Sequence, residues 1–349
     1  MLKTMIAGLA LGTAALVIAG PAAAQNAKPL QVAGSSTVLP YAQIVAENFG
    51  EIYPDFPTPV VESGGTGAGL KQFCAGVGAD TLSVANASRA ISASERETCT
   101  KNGVTDIQEV KFGYDGIVFA TDAAGPDWKL TPDLVFKAMA AKTVVDGKVA
   151  DNTVKTWKDV DASLPAWPIN AYIPGEKHGT REVFETKLLD TGCKATGAFD
   201  AFKASGMDDK AATAQCHQVR KDGTIVDIDG DYTETLARID ANKQGVGVFG
   251  LAFYEQNQDR LKVATVGGVT PSVESVASGE YPVSRPLFFY VKKAHLGVVP
   301  GLTEFVDFFL SEQMAGPDGP LAQYGLVPAP DAQREEARQK FTAGTTIEG

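Results

Sequence analysis

The sequence predicts an α/β protein built as two lobes, and three observations carry that prediction. Short apolar strands alternate with helix-periodic stretches along the chain. At four places a strand runs into a turn of glycine and hydroxyl residues that opens a helix. The chain has 349 residues, more than one hydrophobic core normally holds.

Residues 1–24 read as an export signal. Lys3 supplies a positive start, Met5 to Ala19 is an apolar run, and Ala22-Ala23-Ala24 forms a small-residue cleavage site. The run is too short and too poorly flanked for a membrane span. No cysteine adjoins the cleavage site, which argues against a lipid anchor. The mature chain is expected to begin at Gln25 as a soluble, exported protein of 325 residues. Its formal charge is one unit more negative than the −11 of the whole chain, because Lys3 is lost. That charge, with no basic run, argues against nucleic acid and anionic lipid as partners. It leaves a small anion open, since a few local donors and arginines set the potential inside a closed cleft.

The four cysteines form two local pairs, Cys74 with Cys99 and Cys193 with Cys216. In an exported chain these are expected disulfides, each worth roughly 3 kcal/mol in the chain-entropy account. A zinc site lacks any C-x-x-C spacing, and the three histidines are scattered.

The first junction is Gln31 to Pro40, QVAGSSTVLP: a buried strand, a glycine, then Ser35, Ser36 and Thr37 ahead of a helix from Leu39 to Phe49. Thr58 to Glu62 is a second strand, emptying into Ser63-Gly64-Gly65-Thr66-Gly67-Ala68-Gly69 before a helix at Leu70 to Cys74. No Gly-Lys-Ser/Thr follows, so this is not a Walker loop. Thr81 to Ala87 is a third strand, delivering Ser88 and Arg89 before a helix start with a capping pattern at Ser92 and Glu95. Lys111 to Thr121 is a strongly apolar strand carrying one acid, Asp115.

Leu130 to Ala141 reads as a helix with Thr131 at its cap and Pro132 at its first position. Trp157 to Val160 is a short helix or turn. Ile169 to Ile173 is a strand ending in Pro174-Gly175-Glu176-Lys177-His178-Gly179-Thr180-Arg181, with a helix from Glu182 to Leu189. His217 to Arg220 is expected to be a strand, and Asp227 to Asp231 a turn and helix cap, since its glycine is misplaced for a calcium loop. Gly245 to Leu251 is a strand, followed by a helical turn at Phe253 to Gln256. Pro282 to Lys292, PVSRPLFFYVK, matches the earlier apolar strand in character. Helices at Leu302 to Ser311 and from Gln313 onward close the chain, with Thr342 to Gly349 expected to fray.

One such junction is explained by helix capping alone. Four of one chemical type point to a shared site, because α/β sheets bind ligands beyond the carboxyl ends of their strands. Unpaired N–H groups at helix starts, hydroxyls and arginines together suit an oxyanion.

AGSSTVLP, ESGGTGAGLKQF, ANASRA, HGTREVFE and YPVSRPLFFYV, in that order over most of the mature chain, resemble the periplasmic phosphate-binding protein of the phosphate-specific ABC importer. The resemblance implies a two-lobed periplasmic binding protein of type II, each lobe a mixed sheet flanked by helices. Two crossover strands join the lobes, which close like a hinge on inorganic phosphate. It implies lobe 1 as residues 25–118 with 284–349, and lobe 2 as 119–283. It also implies delivery to an ABC importer membrane permease, no cofactor, no metal, no catalysis, and a monomer.

Carried over by position, Ser36 and Thr37 supply the first loop, Thr66 the second, Ser88 and Arg89 the third, and Gly179 and Thr180 the second lobe. This chain has Arg89 where many members have aspartate, Pro174 where many have arginine, and His178 in place of serine. Arg181 is expected to supply the second arginine. Losing the aspartate matters, because a carboxylate acceptor favours protonated phosphate over sulfate. Asp115 is the expected replacement, with Glu62 and Glu176 as alternatives, and His178 is a further candidate donor. The competing functions are the same fold holding sulfate, molybdate or a phosphonate, and a secreted phosphatase or esterase. The last lacks G-x-S-x-G and a paired His/Asp metal set.

Overall fold

The computed structural model describes residues 28–347 except Ala79, Lys177 and Asp231, so the expected leader lies outside the described residues. No described helix is long and apolar enough to cross a membrane.

One sheet runs through the whole molecule. Its strands lie in the order Val60–Ser63, Gln31–Gly34, Val84–Ala87, Ser284–Lys292, Ile107–Asp122, Val246–Gly250, Ala171–Pro174 and Ile225–Ile228. The first three are parallel, as strand–helix–strand units require, and Ser284–Lys292 joins them antiparallel. The 16-residue strand Ile107–Asp122 belongs to both halves. Ser284 pairs with Gly116, and Gly250 pairs with the very next residue, Ile117.

The apolar character of the two long strands follows from their position. Leu287, Phe289 and Val291 enter a core with Phe49, Phe112, Phe305 and Phe309 on one face of the sheet. Phe288 and Tyr290 enter a second core with Phe73 and Ile107 on the other. A strand buried on both faces reads as an unbroken apolar run. A third core, around Phe136, Trp157, Phe184 and Phe249, organises the other half. Each fully buried side chain of this size contributes about 1.5–3 kcal/mol. Both expected disulfides are formed, Cys74–Cys99 and Cys193–Cys216.

Three expectations are corrected. His217 to Arg220 is not a strand: only Val219 makes an isolated bridge, to Ala140. The Arg220 guanidinium is buried, donating to Val154 O at 2.6 Å and pairing with Asp222, which ties the segment to neighbouring loops. The strand comes later, at Ile225–Ile228, where an apolar–polar pattern adds an edge parallel to Ala171–Pro174. The helix expected at Glu182 begins at Gly179 and continues as a π-helix over Phe184–Leu189. The stretch expected to fray is held as far as it is described: the Ile347 N–H donates to Ile107 O at 2.9 Å, and residues 348–349 lie outside the described residues.

Candidate anion-binding site

Glycine contacts lock the loops of the first half together. Gly34 ends its strand at φ 144°, and a Cβ there would lie 2.1 Å from Asn86 O. Gly69 packs on Gly34 so closely that a Cβ would lie 2.4 Å from its Cα. The first helix starts only at Leu39, with Val38 at the cap position, so Ser36 is not the cap. Ser35 to Thr37 instead form a turn in which Ser35 Oγ accepts from Thr37 N at 3.2 Å. Thr66 is the first residue of its helix, Thr66–Phe73. Its Oγ1 accepts from Ser88 N at 3.1 Å and lies 3.3 Å from Ser88 Oγ.

Arg89, next in the chain, donates two 2.8 Å hydrogen bonds to the Glu95 carboxylate. Glu95 also closes the capping box with Ser92. Arg89 first, and then the Ser92 backbone and hydroxyl, hold the Glu95 carboxyl down to about 2 against the cost of burial.

From the other half, the strand Ala171–Pro174 leads to Gly179, which rests against the first loop. A Cβ on Gly179 would lie 2.5 Å from Thr37 Cα. Between the halves, Arg285 and Asp115 stand directly opposite each other on the two crossover strands. Arg285 Nη2 donates to Thr37 Oγ1 at 2.7 Å and reaches Glu182 Oε2 at 3.2 Å and Gly179 O at 3.4 Å. Thr37 Oγ1 in turn donates to Glu182 Oε2 at 3.1 Å. Asp115 is 1% exposed, and burial pushes its carboxyl up while Arg285 opposes the shift. Its Oδ2 lies 3.6 Å from Arg285, too far for a hydrogen bond. Asp115 Oδ2 and Arg285 Nε are both buried without a hydrogen-bond partner among the described residues.

The Thr37–Glu182–Arg285 bridge divides the cleft into two chambers. One, of about 640 Å³, is lined by Ser36, Thr66, Ser88, Arg89, Glu182 and Arg285. The other, of about 620 Å³, is lined by Ser36, Thr37, Asp115, His178, Gly179 and Thr180, with Tyr41 and Tyr232 adding apolar wall. Ser36 borders both. The loops therefore bring together every expected ligand residue except Arg181.

Arg181 is corrected. It is 5% exposed, lines neither chamber, and gives its donors to Glu185 at 2.7 Å, Asp227 at 2.5 Å and Pro174 O at 3.0 Å. Glu62 and Glu176 are exposed and line neither chamber. The second cleft arginine is Arg285, which sequence reasoning passed over although it lies within YPVSRPLFFYV. An arginine inside so apolar a strand must find partners on burial, and that was the available signal. Glu182 was also missed.

The sequence matches the family model described as a PBP superfamily domain over residues 19–313. The chain belongs to the PBP superfamily. Among superfamily relatives, it is 30% identical over 354 residues to Protein SphX of Synechococcus elongatus, covering 97% of this chain and 91% of that protein. It is 30% identical over 287 residues to the phosphate-binding protein PstS of Staphylococcus haemolyticus, covering 80% and 76%. The structure resembles that of a possible phosphate binding protein from Planctomyces limnophilus, with a TM-score of 0.68, 26% identity, and coverage of 92% and 99%. A two-lobed PBP fold accounts for the shared long strand and for the cleft beside it.

Proposed function

We propose that this protein binds inorganic phosphate in the periplasm and delivers it to an ABC importer membrane permease, without catalysis. The observation that carries the reading is convergence. Hydroxyls of Ser36, Thr66 and Ser88 line one chamber with the buried guanidinium of Arg285, and those of Thr37 and Thr180 line the other, on the two sides of the Thr37–Glu182–Arg285 bridge. Charge-assisted and hydroxyl donors of this kind suit an oxyanion, and Arg89 adds a second guanidinium at the rim. PstS in Staphylococcus haemolyticus is named for phosphate binding, which agrees with this chemistry.

The lobes are residues 25–118 with 284–349, and residues 119–283. The change of strand partner between Gly116 and Ile117 supports a hinge there. Ser36, Thr37, Thr66, Ser88, Gly179 and Thr180 hold the anion, His178 flanks it, and Asp115 accepts the proton that phosphate keeps and sulfate lacks.

Calorimetry with phosphate and with sulfate tests the reading. Phosphate is expected to bind far more tightly, and Asp115→Asn is expected to narrow the gap. Equal affinity for both anions would remove the selective acceptor, and no heat with phosphate would remove the function. Preferential binding of molybdate or a phosphonate would keep the fold and change the ligand.

A further inference from the structure

We propose that Glu182 is a built-in stand-in for the anion, a carboxylate that holds the site's donors until phosphate displaces it and so sets the affinity. The proposal rests on the phosphate-binding reading and deepens it.

The geometry is that of a ligand. Glu182 Oε2 accepts from Thr37 Oγ1 at 3.1 Å and from Arg285 Nη2 at 3.2 Å. Both donors belong to the cleft, whereas Glu182 comes from the opposite side, three residues after Gly179. One charged oxygen, Oε2, takes both donors, as a single oxygen of an oxyacid can.

Charge sharpens the argument. Two carboxylates, Glu182 and Asp115, stand within 3.6 Å of a single guanidinium nitrogen of Arg285. The cluster is already net negative, so adding an anion with both carboxylates in place is unfavourable. One must withdraw. Asp115 is fully buried on a crossover strand and has nowhere to go. The Glu182 side chain is 47% exposed and sits on a short helix at the cleft, so it can swing into water. Its departure frees the Thr37 hydroxyl proton and an Arg285 N–H beside the chamber that Glu182 lines. Binding is then an exchange of one anionic group for another. The apparent affinity is the intrinsic affinity multiplied by the fraction of molecules in which Glu182 is withdrawn.

The test compares the full chain with Glu182→Gln and Glu182→Ala, using inorganic phosphate in calorimetry and stopped-flow fluorescence. Matching thermal midpoints without phosphate establish that the variants fold. Both variants are expected to bind phosphate at least fivefold more tightly, with the gain in the association rate and the dissociation rate little changed. Weaker binding would overturn the proposal by making Glu182 a direct ligand. An unchanged affinity would overturn it by making Glu182 a bystander. Failure of the wild-type chain to bind phosphate would instead sink the functional reading beneath it.

Discussion

A buried guanidinium needs partners around its whole fork, and the two such residues near the cleft meet that need in opposite ways. Arg181 gives Nε to Glu185 and Nη1 to Asp227 and Pro174 O. Arg285 keeps Nε without a hydrogen bond and shares Nη2 among groups of the cleft. The first arrangement holds structure; the second leaves a donor for a ligand. Arg285→Ala is therefore expected to cost about 2–5 kcal/mol of phosphate binding in calorimetry. It should also lower the thermal midpoint, since Asp115 would lose its counter-charge. Arg181→Ala is expected to do the reverse. Chemical denaturation should show a loss on the order of 1–3 kcal/mol from partners left unpaired. The folded fraction should bind phosphate within about twofold of wild type, a difference near 0.4 kcal/mol.

At the scale of elements, the helix Ala93–Lys101 shows how a structural cap trims a functional side chain. Glu95 closes the capping box and also grips Arg89 in two hydrogen bonds, fixing how far that guanidinium reaches into its chamber. Its carboxyl sits near 2 in the folded chain against 4.5 for the ordinary group. The folded state therefore holds this proton less tightly than the unfolded one, so the contribution is full above pH 4.5 and is lost as pH falls toward 2. Glu95→Gln is expected to flatten that part of the acid limb when urea midpoints are measured against pH.

The same elements show what sequence could and could not convey. The four loop junctions were legible because glycine, hydroxyl and strand signals are local, and nine expected ligand positions fall in the cleft as a result. The first helix starts at Leu39 as its apolar spacing indicates, while the turn before it is held by Ser35, whose hydroxyl accepts from Thr37 N. Arg285 was illegible for a different reason. Its role depends on register with Asp115, a residue 170 positions earlier. Arg181 lies beside the right motif, but its capture by Asp227 depends on a strand that the sequence presented as a turn.

For the whole molecule, the decisive contact is the one made by an absent side chain. Gly179 meets Thr37 where the two halves touch, and a Cβ there would collide with backbone on the other side. Gly179→Ala should leave each lobe intact and obstruct their meeting. Phosphate affinity is expected to fall at least tenfold, about 1.4 kcal/mol or more, with the unliganded thermal midpoint almost unchanged. Small-angle scattering should show less compaction on adding phosphate than in the wild-type chain. A variant that closes and binds normally would mean that the Thr37–Gly179 approach is dispensable.

The strand Ile107–Asp122 has a consequence for how the molecule can come apart. It hydrogen-bonds to Ser284–Lys292 along one stretch and to Val246–Gly250 along the next. Neither half owns it, so a fragment spanning 123–283 would carry a raw β-edge where its central neighbour had been, ready to stick to other chains. Heating or denaturant should accordingly melt the molecule as one cooperative unit: it is hinged like two bodies, yet it cannot be sawn into two.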